Sequence, residues 1–167
     1  MSFVIHLQKE SFKFSCSHFT VLSAKEAEHL HGHNYQVRVA LKISALDPEL
    51  GFAFDFNAVK PLIKELCDDL DEKILLPLKS PFVQVTHKQE QVSALFGARK
   101  YSFPLEDCRL LSISNVTSEE LARWLCLRLI ERIKHLPRIE RVRVAIEETR
   151  GQSVSYTENI GPTENLR

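Results

Sequence analysis

Glycine and proline together number only twelve in 167 residues, and no linker, internal repeat or low-complexity run is present. With 44% hydrophobic residues, disorder is excluded and a single packed core is expected. Net charge is also missing, because 22 acidic side chains balance 22 basic ones. That argues against a nucleic acid or a membrane surface held by bulk electrostatics, and leaves room for a local basic pocket around a small anion. No apolar stretch approaches the roughly 20 residues of a membrane span. Met1 to Glu10 has no basic leader with an apolar core, so no signal peptide is expected and the chain reads as soluble and cytoplasmic. There is no CxxC pair. Cys16, Cys67, Cys108 and Cys126 could form two disulfides, but in that compartment free thiols are expected. Cys67 and Cys126 fall on helical apolar stripes, as small buried hydrophobes do.

What is present is clear periodicity. Phe12, Phe14, Cys16 and His18 alternate with polar residues, as do Tyr35, Val37, Val39, Leu41 and Ile43, which predicts two antiparallel strands. A helix is expected after Asp55, with Val59, Leu62, Ile63, Leu66 and Leu70 on one face and Pro61 in its first turn. Val83–Val85 and Lys100–Phe103 read as short strands, and Gln89 to Arg99 as either a hairpin end or a mobile loop. Thr117-Ser118-Glu119-Glu120 opens a second helix, whose apolar face runs from Leu121 to Ile133 and which Pro137 closes. Val142, Val144 and Ile146 form a strand, with Val154 and Tyr156 on its hairpin partner across Gly151. The predicted class is α+β, an antiparallel sheet with two helices on one face, in one domain over residues 1–157. A loose tail is expected over 158–167.

Three of the seven histidines stand in a pattern with chemical meaning. His31 and His33 flank Gly32, so on a strand both imidazoles leave the same face. His18 ends the preceding strand and can reach that face. Three imidazoles on adjacent strands suit Zn²⁺ with one position open, the arrangement of catalytic zinc. A lone HxH is common by chance, and the third histidine is what raises this one. His6 and His87 stand alone, His29 has the wrong parity, and His135 suits a helix C-terminus. Cys16 shares the parity of His18, as a buried bystander or a residue facing the metal.

Phe14-Ser15-Cys16-Ser17-His18 and Leu30-His31-Gly32-His33-Asn34-Tyr35 resemble the zinc motif of the 6-pyruvoyltetrahydropterin and 6-carboxytetrahydropterin synthase family. Further segments are similar in the same order: Gly51 to Lys60 before the first helix, Leu70-Asp71-Glu72-Lys73, Asn115-Val116-Thr117-Ser118-Glu119, and Glu148-Thr149. Residues 77–114 exceed the shortest family members and read as a family-variable insertion of strands and loop. The resemblance implies a tunnelling fold whose sheets join into a barrel by homo-oligomerisation, as a trimer or a hexamer, with sites between subunits. It implies zinc on His18, His31 and His33 and a pterin substrate on Glu148, Thr117 and Ser118. By position alone Glu148 would be a solvated strand-end acid.

Two positions depart from the family pattern. Ala27 stands where the usual catalytic cysteine would be, and Glu28 gives Glu-x-x-His-Gly-His. That spacing resembles the branch in which glutamate is the base and 6-hydroxymethyl-7,8-dihydropterin is the product; otherwise Glu28 is a charged loop residue. Asp71-Glu72 replaces an Asp-His pair, and two neighbouring carboxyls could still move protons if one pKa is raised. The sequence thus predicts a zinc-dependent lyase acting on 7,8-dihydroneopterin triphosphate or a close relative, with Glu28, Asp71 and Glu72 in proton transfer. The alternative is a non-catalytic zinc- and pterin-binding paralogue on the same fold.

Overall fold

In the computed structural model, which describes residues 3–160, a strand that the sequence reading does not predict, β1 (Phe3–Leu7), precedes the two period-two segments, which become β2 (Lys13–His18) and β3 (His31–Ile43). They are followed by a 3-10 turn (Phe56–Ala58), α1 (Lys60–Asp68), β4 (Lys73–Pro77), β5 (Gln84–Lys88), β6 (Gln91–Phe96) and β7 (Arg99–Pro104). β8 (Cys108–Leu111), α2 (Ser118–Ile133), β9 (Ile139–Thr149) and β10 (Gln152–Asn159) complete the described chain. The main sheet has the order β10-β9-β3-β2-β4-β8, with β1 also on β3. β2 pairs with the first half of β3, placing His18 opposite His31, and β1 pairs with the second half, placing Phe3 opposite Ile43. The two strands therefore lie end to end along β3. Gln36 marks their junction, its amide donating to the carbonyls of Lys9 and Phe12 at 2.9 Å each.

The core lies on one face of this sheet. Phe14, Tyr35, Val37, Val39, Leu41, Ile43, Val142, Val144 and Ile146 are all buried, while the intervening residues are polar or partly exposed. Both helices cover that face, α1 with Ile63, Leu66 and Cys67, and α2 with Leu121, Trp124, Leu125, Cys126, Leu129 and Ile133. Removing each large apolar side chain from water stabilises the fold by about 1.5–3 kcal/mol. Thr117 caps α2, its hydroxyl accepting from the Glu120 N–H at 3.3 Å, and Glu119 and Glu120 sit at the positive dipole end. The cap expected at Asp55 belongs instead to the 3-10 turn, where its carboxylate accepts from the Asn57 N–H at 2.9 Å. The α-helix starts only at Lys60, and Pro61 sits in its first turn, where its missing N–H costs nothing.

The α+β class is as read from the sequence, but one edge of the sheet is parallel. β4 runs parallel to both β2 and β8. Parallel neighbours need a long crossover, and here α1 supplies one and β5–β7 the other. Residues 89–99 are neither a hairpin end nor a mobile loop: they hold β6, the central strand of a separate antiparallel sheet β5-β6-β7, with the turn on either side of it. Its Val92, Ala94 and Phe96 pack with Phe19, Leu76 and Val83 in a second small core. The expected tail is shorter than read, because β10 continues through Glu158 to Asn159; its residues 161–167 lie outside the described residues. All four cysteines are free. No described helix is long and apolar enough to cross a membrane.

Candidate active site and metal centre

At one end of β2, β3 and β9 the core face changes character. Continuing the parity of Phe14 and Cys16 comes His18; ahead of Tyr35 come His33 and His31; beyond Ile146 comes Glu148. Polar side chains here occupy positions that elsewhere on the sheet hold the core. One ring nitrogen from each of His18, His31 and His33 lies within 4.8 Å of the others.

The ring tautomers test whether a metal fits. Nδ1 of His18 is 3.1 Å from the Val116 carbonyl, and Nδ1 of His31 is 2.7 Å from the His29 carbonyl. A carbonyl only accepts, so both Nδ1 atoms carry the proton and both Nε2 atoms present lone pairs. Burial, then the neighbouring His31, holds the His18 pKa below its ordinary value, so this imidazole is neutral. Three imidazoles with one open position are a donor set that fits Zn²⁺. The Tyr35 hydroxyl lies 3.2 Å from His18 Nε2, and burial followed by the Glu148 charge keeps it protonated. His6, His29, His87 and His135 are exposed.

Glu28 sits on the loop between β2 and β3. Val21 bridges Ala27, and the Glu28 N–H donates to the Thr20 carbonyl at 2.9 Å. The Glu28 carboxylate turns back to accept from the Thr20 N–H at 3.1 Å, and its Oε2 stands 3.8 Å from His31 Nε2. Burial works to raise the Glu28 pKa, but the Thr20 hydrogen bonds and the nearby histidines outweigh it, so the carboxyl lies below its ordinary value. Asn115 clamps the start of the loop, accepting from the Val21 N–H at 3.0 Å and donating to its carbonyl at 2.9 Å. Arg99 holds the other arm, donating to the carbonyls of Ala27 at 2.7 Å and Glu28 at 2.8 Å.

Across the cleft, Glu148 Oε1 is 3.0 Å from His33 Nε2, and its Oε2 accepts from the Ser118 hydroxyl at 3.0 Å. His18, Thr20, Glu28, Tyr35, Thr117, Ser118, Glu119 and Glu148 line a cavity of about 570 Å³, walled on one side by Gly151–Val154. The structure thus gathers His18, His31, His33, Glu28, Thr117, Ser118 and Glu148 around one cleft. It does not bring Asp71 and Glu72 there. Asp71 accepts from the Ser15 N–H at 2.7 Å, and the Glu72 N–H donates to the Ser15 carbonyl at 2.7 Å. Within one chain this pair fastens the end of α1 to β2. Glu72, in a left-handed conformation at φ 57°, borders a separate depression with Ser15, Ser17 and Asn34. Cys16 is buried, and desolvation, then the Glu148 and Asp71 charges, pushes its thiol up to about 12. It is a protonated bystander. Thr20, Tyr35, Asn115 and Arg99 were not singled out as site residues from the sequence. Tyr35 ends the Leu30–Tyr35 motif and Asn115 opens the Asn115–Glu119 motif, whereas Arg99 has no local signal in the sequence.

An α+β sheet with both helices on one face and a histidine-lined cleft at its end defines a class of fold and site. The family profile of 6-pyruvoyl tetrahydropterin synthase matches residues 6–159. A Methanocaldococcus jannaschii protein provisionally named 6-carboxy-5,6,7,8-tetrahydropterin synthase is 32% identical over 146 residues, spanning 86% of this chain and 88% of that relative. The crystal structure of the Plasmodium vivax 6-pyruvoyl tetrahydropterin synthase superposes with a TM-score of 0.88 at 26% identity, over 96% of this chain and 99% of that one. Its Plasmodium falciparum counterpart gives 0.86 at 27% identity, over 95% and 99%. Two further structures of the P. vivax enzyme carry alanine or cysteine in place of a glutamate described as a catalytic residue. The chain belongs to the 6-pyruvoyl tetrahydropterin synthase family. It is a lyase-type enzyme of pterin chemistry with the tunnelling fold.

Proposed function

We propose that this enzyme removes or rearranges the side chain of 7,8-dihydroneopterin triphosphate or a close relative, with Zn²⁺ on His18, His31 and His33 and with Glu28 as general base. The observation that carries this reading is the Glu28 carboxylate, ionised, on the wall of the cleft and 3.8 Å from His31 Nε2. Zn²⁺ bound there would lower the pKa of the substrate's side-chain hydroxyls and stabilise developing enolate-like charge. Glu148 accepts hydrogen bonds from the pterin amino and ring N–H groups, and Ser118 and Thr117 orient its edge from the start of α2. Glu28 then takes a proton from the side chain. Cys16 does not take its place, since its side chain is buried in the core and is not among the residues lining the cleft. A carboxylate in this role is also supported by the P. vivax structures in which a catalytic glutamate is replaced. The resemblance of the Glu-x-x-His-Gly-His motif to the glutamate-type branch of the family implies 6-hydroxymethyl-7,8-dihydropterin as product. Open strand edges at β8 and β10 suit assembly into a trimer or hexamer. Asp71 and Glu72 join proton transfer only where a neighbouring copy carries them to a cleft.

The test is incubation of zinc-loaded protein with 7,8-dihydroneopterin triphosphate and identification of products by mass spectrometry. The hydroxymethyl product is expected from the wild type. Glu28→Gln should lower turnover by about 10²–10⁴-fold, the usual contribution of a general base, while zinc content and assembly survive. Unchanged turnover in that variant removes Glu28 from the mechanism. Bound pterin with no product from the wild type points to the non-catalytic paralogue.

A further inference from the structure

The three-stranded sheet β5–β7 lies outside the main sheet, yet one of its residues reaches the candidate base. Arg99 begins β7, paired with Phe96 across a two-residue turn in which Gly97 takes φ 55°. That turn aims the side chain at the β2–β3 loop. Its guanidinium lies 5.2 Å from the Phe96 ring centroid, which steers the planar group from behind. Nη1 donates to the Glu28 carbonyl at 2.8 Å and Nη2 to the Ala27 carbonyl at 2.7 Å. Two donors in a rigid plane meeting two consecutive carbonyls fix the peptide planes on both sides of the Glu28 Cα. Among the described residues Arg99 has no carboxylate partner within salt-bridge distance, so its charge strengthens these main-chain bonds alone.

We propose that Arg99 is a positioning residue for Glu28, so that the β5–β7 sheet sets the direction of the base. This rests on reading Glu28 as that base. From the other side the Glu28 N–H is held by the Thr20 carbonyl and Ala27 is bridged to Val21. Arg99 completes the enclosure of the Glu28 main chain, while the carboxylate itself is held by the Thr20 N–H. The metal ligands and Glu148 sit on β2, β3 and β9 and make no hydrogen bond to Arg99. Loss of Arg99 therefore moves the base and leaves binding in place.

The experiment compares Arg99→Ala, Arg99→Lys and Glu28→Gln with the wild type, each as the full zinc-loaded chain acting on 7,8-dihydroneopterin triphosphate. Misplacing a catalytic group by about 1 Å costs on the order of 10²-fold, so Arg99→Ala should lose about that in kcat, with KM within about threefold and zinc content unchanged. Millimolar guanidinium ion should restore part of that kcat, and Arg99→Lys, a point charge without the fork, should fall between the two. A purely structural Arg99 predicts otherwise: falling zinc content, rising KM and no rescue, and that pattern overturns the proposal. So does wild-type kcat in Arg99→Ala beside an inactive Glu28→Gln. If the alanine variant does not fold, Arg99→Lys with the same readouts decides. Turnover retained in Glu28→Gln, or absent in the wild type, refutes the underlying reading of Glu28 instead, and the role of Arg99 falls with it.

Discussion

Asn115 offers a quantitative test of how the Glu28 loop is held. Its side chain makes three hydrogen bonds, accepting from the N–H groups of Val21 and Val116 at 3.0 Å each and donating to the Val21 carbonyl at 2.9 Å. Asn115→Ala removes all of them. At about 1 kcal/mol net apiece the loss would be about 3 kcal/mol, and water entering this half-buried site brings it to about 2 kcal/mol. For a chain of this size that lowers Tm by about 4–8 °C, provided protomer concentration is held fixed in case unfolding is coupled to dissociation. Asn115→Asp keeps both accepting roles but turns a carboxylate oxygen toward the Val21 carbonyl in place of the donor, so it too should lower Tm. The matching local signal is hydrogen exchange, which should quicken at the Val21 and Val116 amides before it does in α2. An unchanged Tm together with unchanged protection at Val21 would refute the claim that Asn115 anchors this loop.

Two other expectations are direct. His18→Ala, His31→Ala or His33→Ala should each abolish zinc retention after metal-replete expression, as read by elemental analysis; a full complement of zinc in any one removes that residue from the ligand set. Asp47 governs an acid-dependent contribution to stability. The Leu50 and Glu49 N–H groups, and then Arg138 at 3.1 Å, hold its carboxyl below the ordinary 3.8. A depressed folded-state pKa stabilises fully above the unfolded value and fades as pH falls through the folded one. Asp47→Asn should therefore narrow the gap in Tm between pH 6, above the ordinary carboxyl value, and pH 3, below it, measured by thermal melts; an unaltered gap counts against the linkage.

The candidate centre was legible because its residues obey strand parity. His18, His31 and His33 fall on the same period as Phe14 and Tyr35, and the pairing of His18 with His31 follows from that register. The start of β3 was harder to see, since histidines there replace the apolar residues that announce a strand. β1 was missed altogether: Phe3 and Val4 are 44% and 52% exposed, so alternation on this edge strand is weak. β4 and β8 are short, and whether a strand pairs in parallel depends on a crossover that no local pattern records. The Asp71 and Glu72 contacts with Ser15, and those of Arg99 with the loop, join main-chain groups to residues 56 to 72 positions away. Main-chain carbonyls look alike in any sequence, so such partners leave no trace in one.

The proposed base and the proposed binding groups belong to different kinds of structure. His18, His31, His33 and Glu148 stand on strands locked into the central sheet, whereas Glu28 stands on a loop that Thr20 braces from within and Asn115 and Arg99 pin from outside. Substitutions in the loop should therefore redirect the Glu28 carboxylate without unsettling the sheet that carries the three histidines and Glu148, because that carboxylate shares no hydrogen bond with those four side chains.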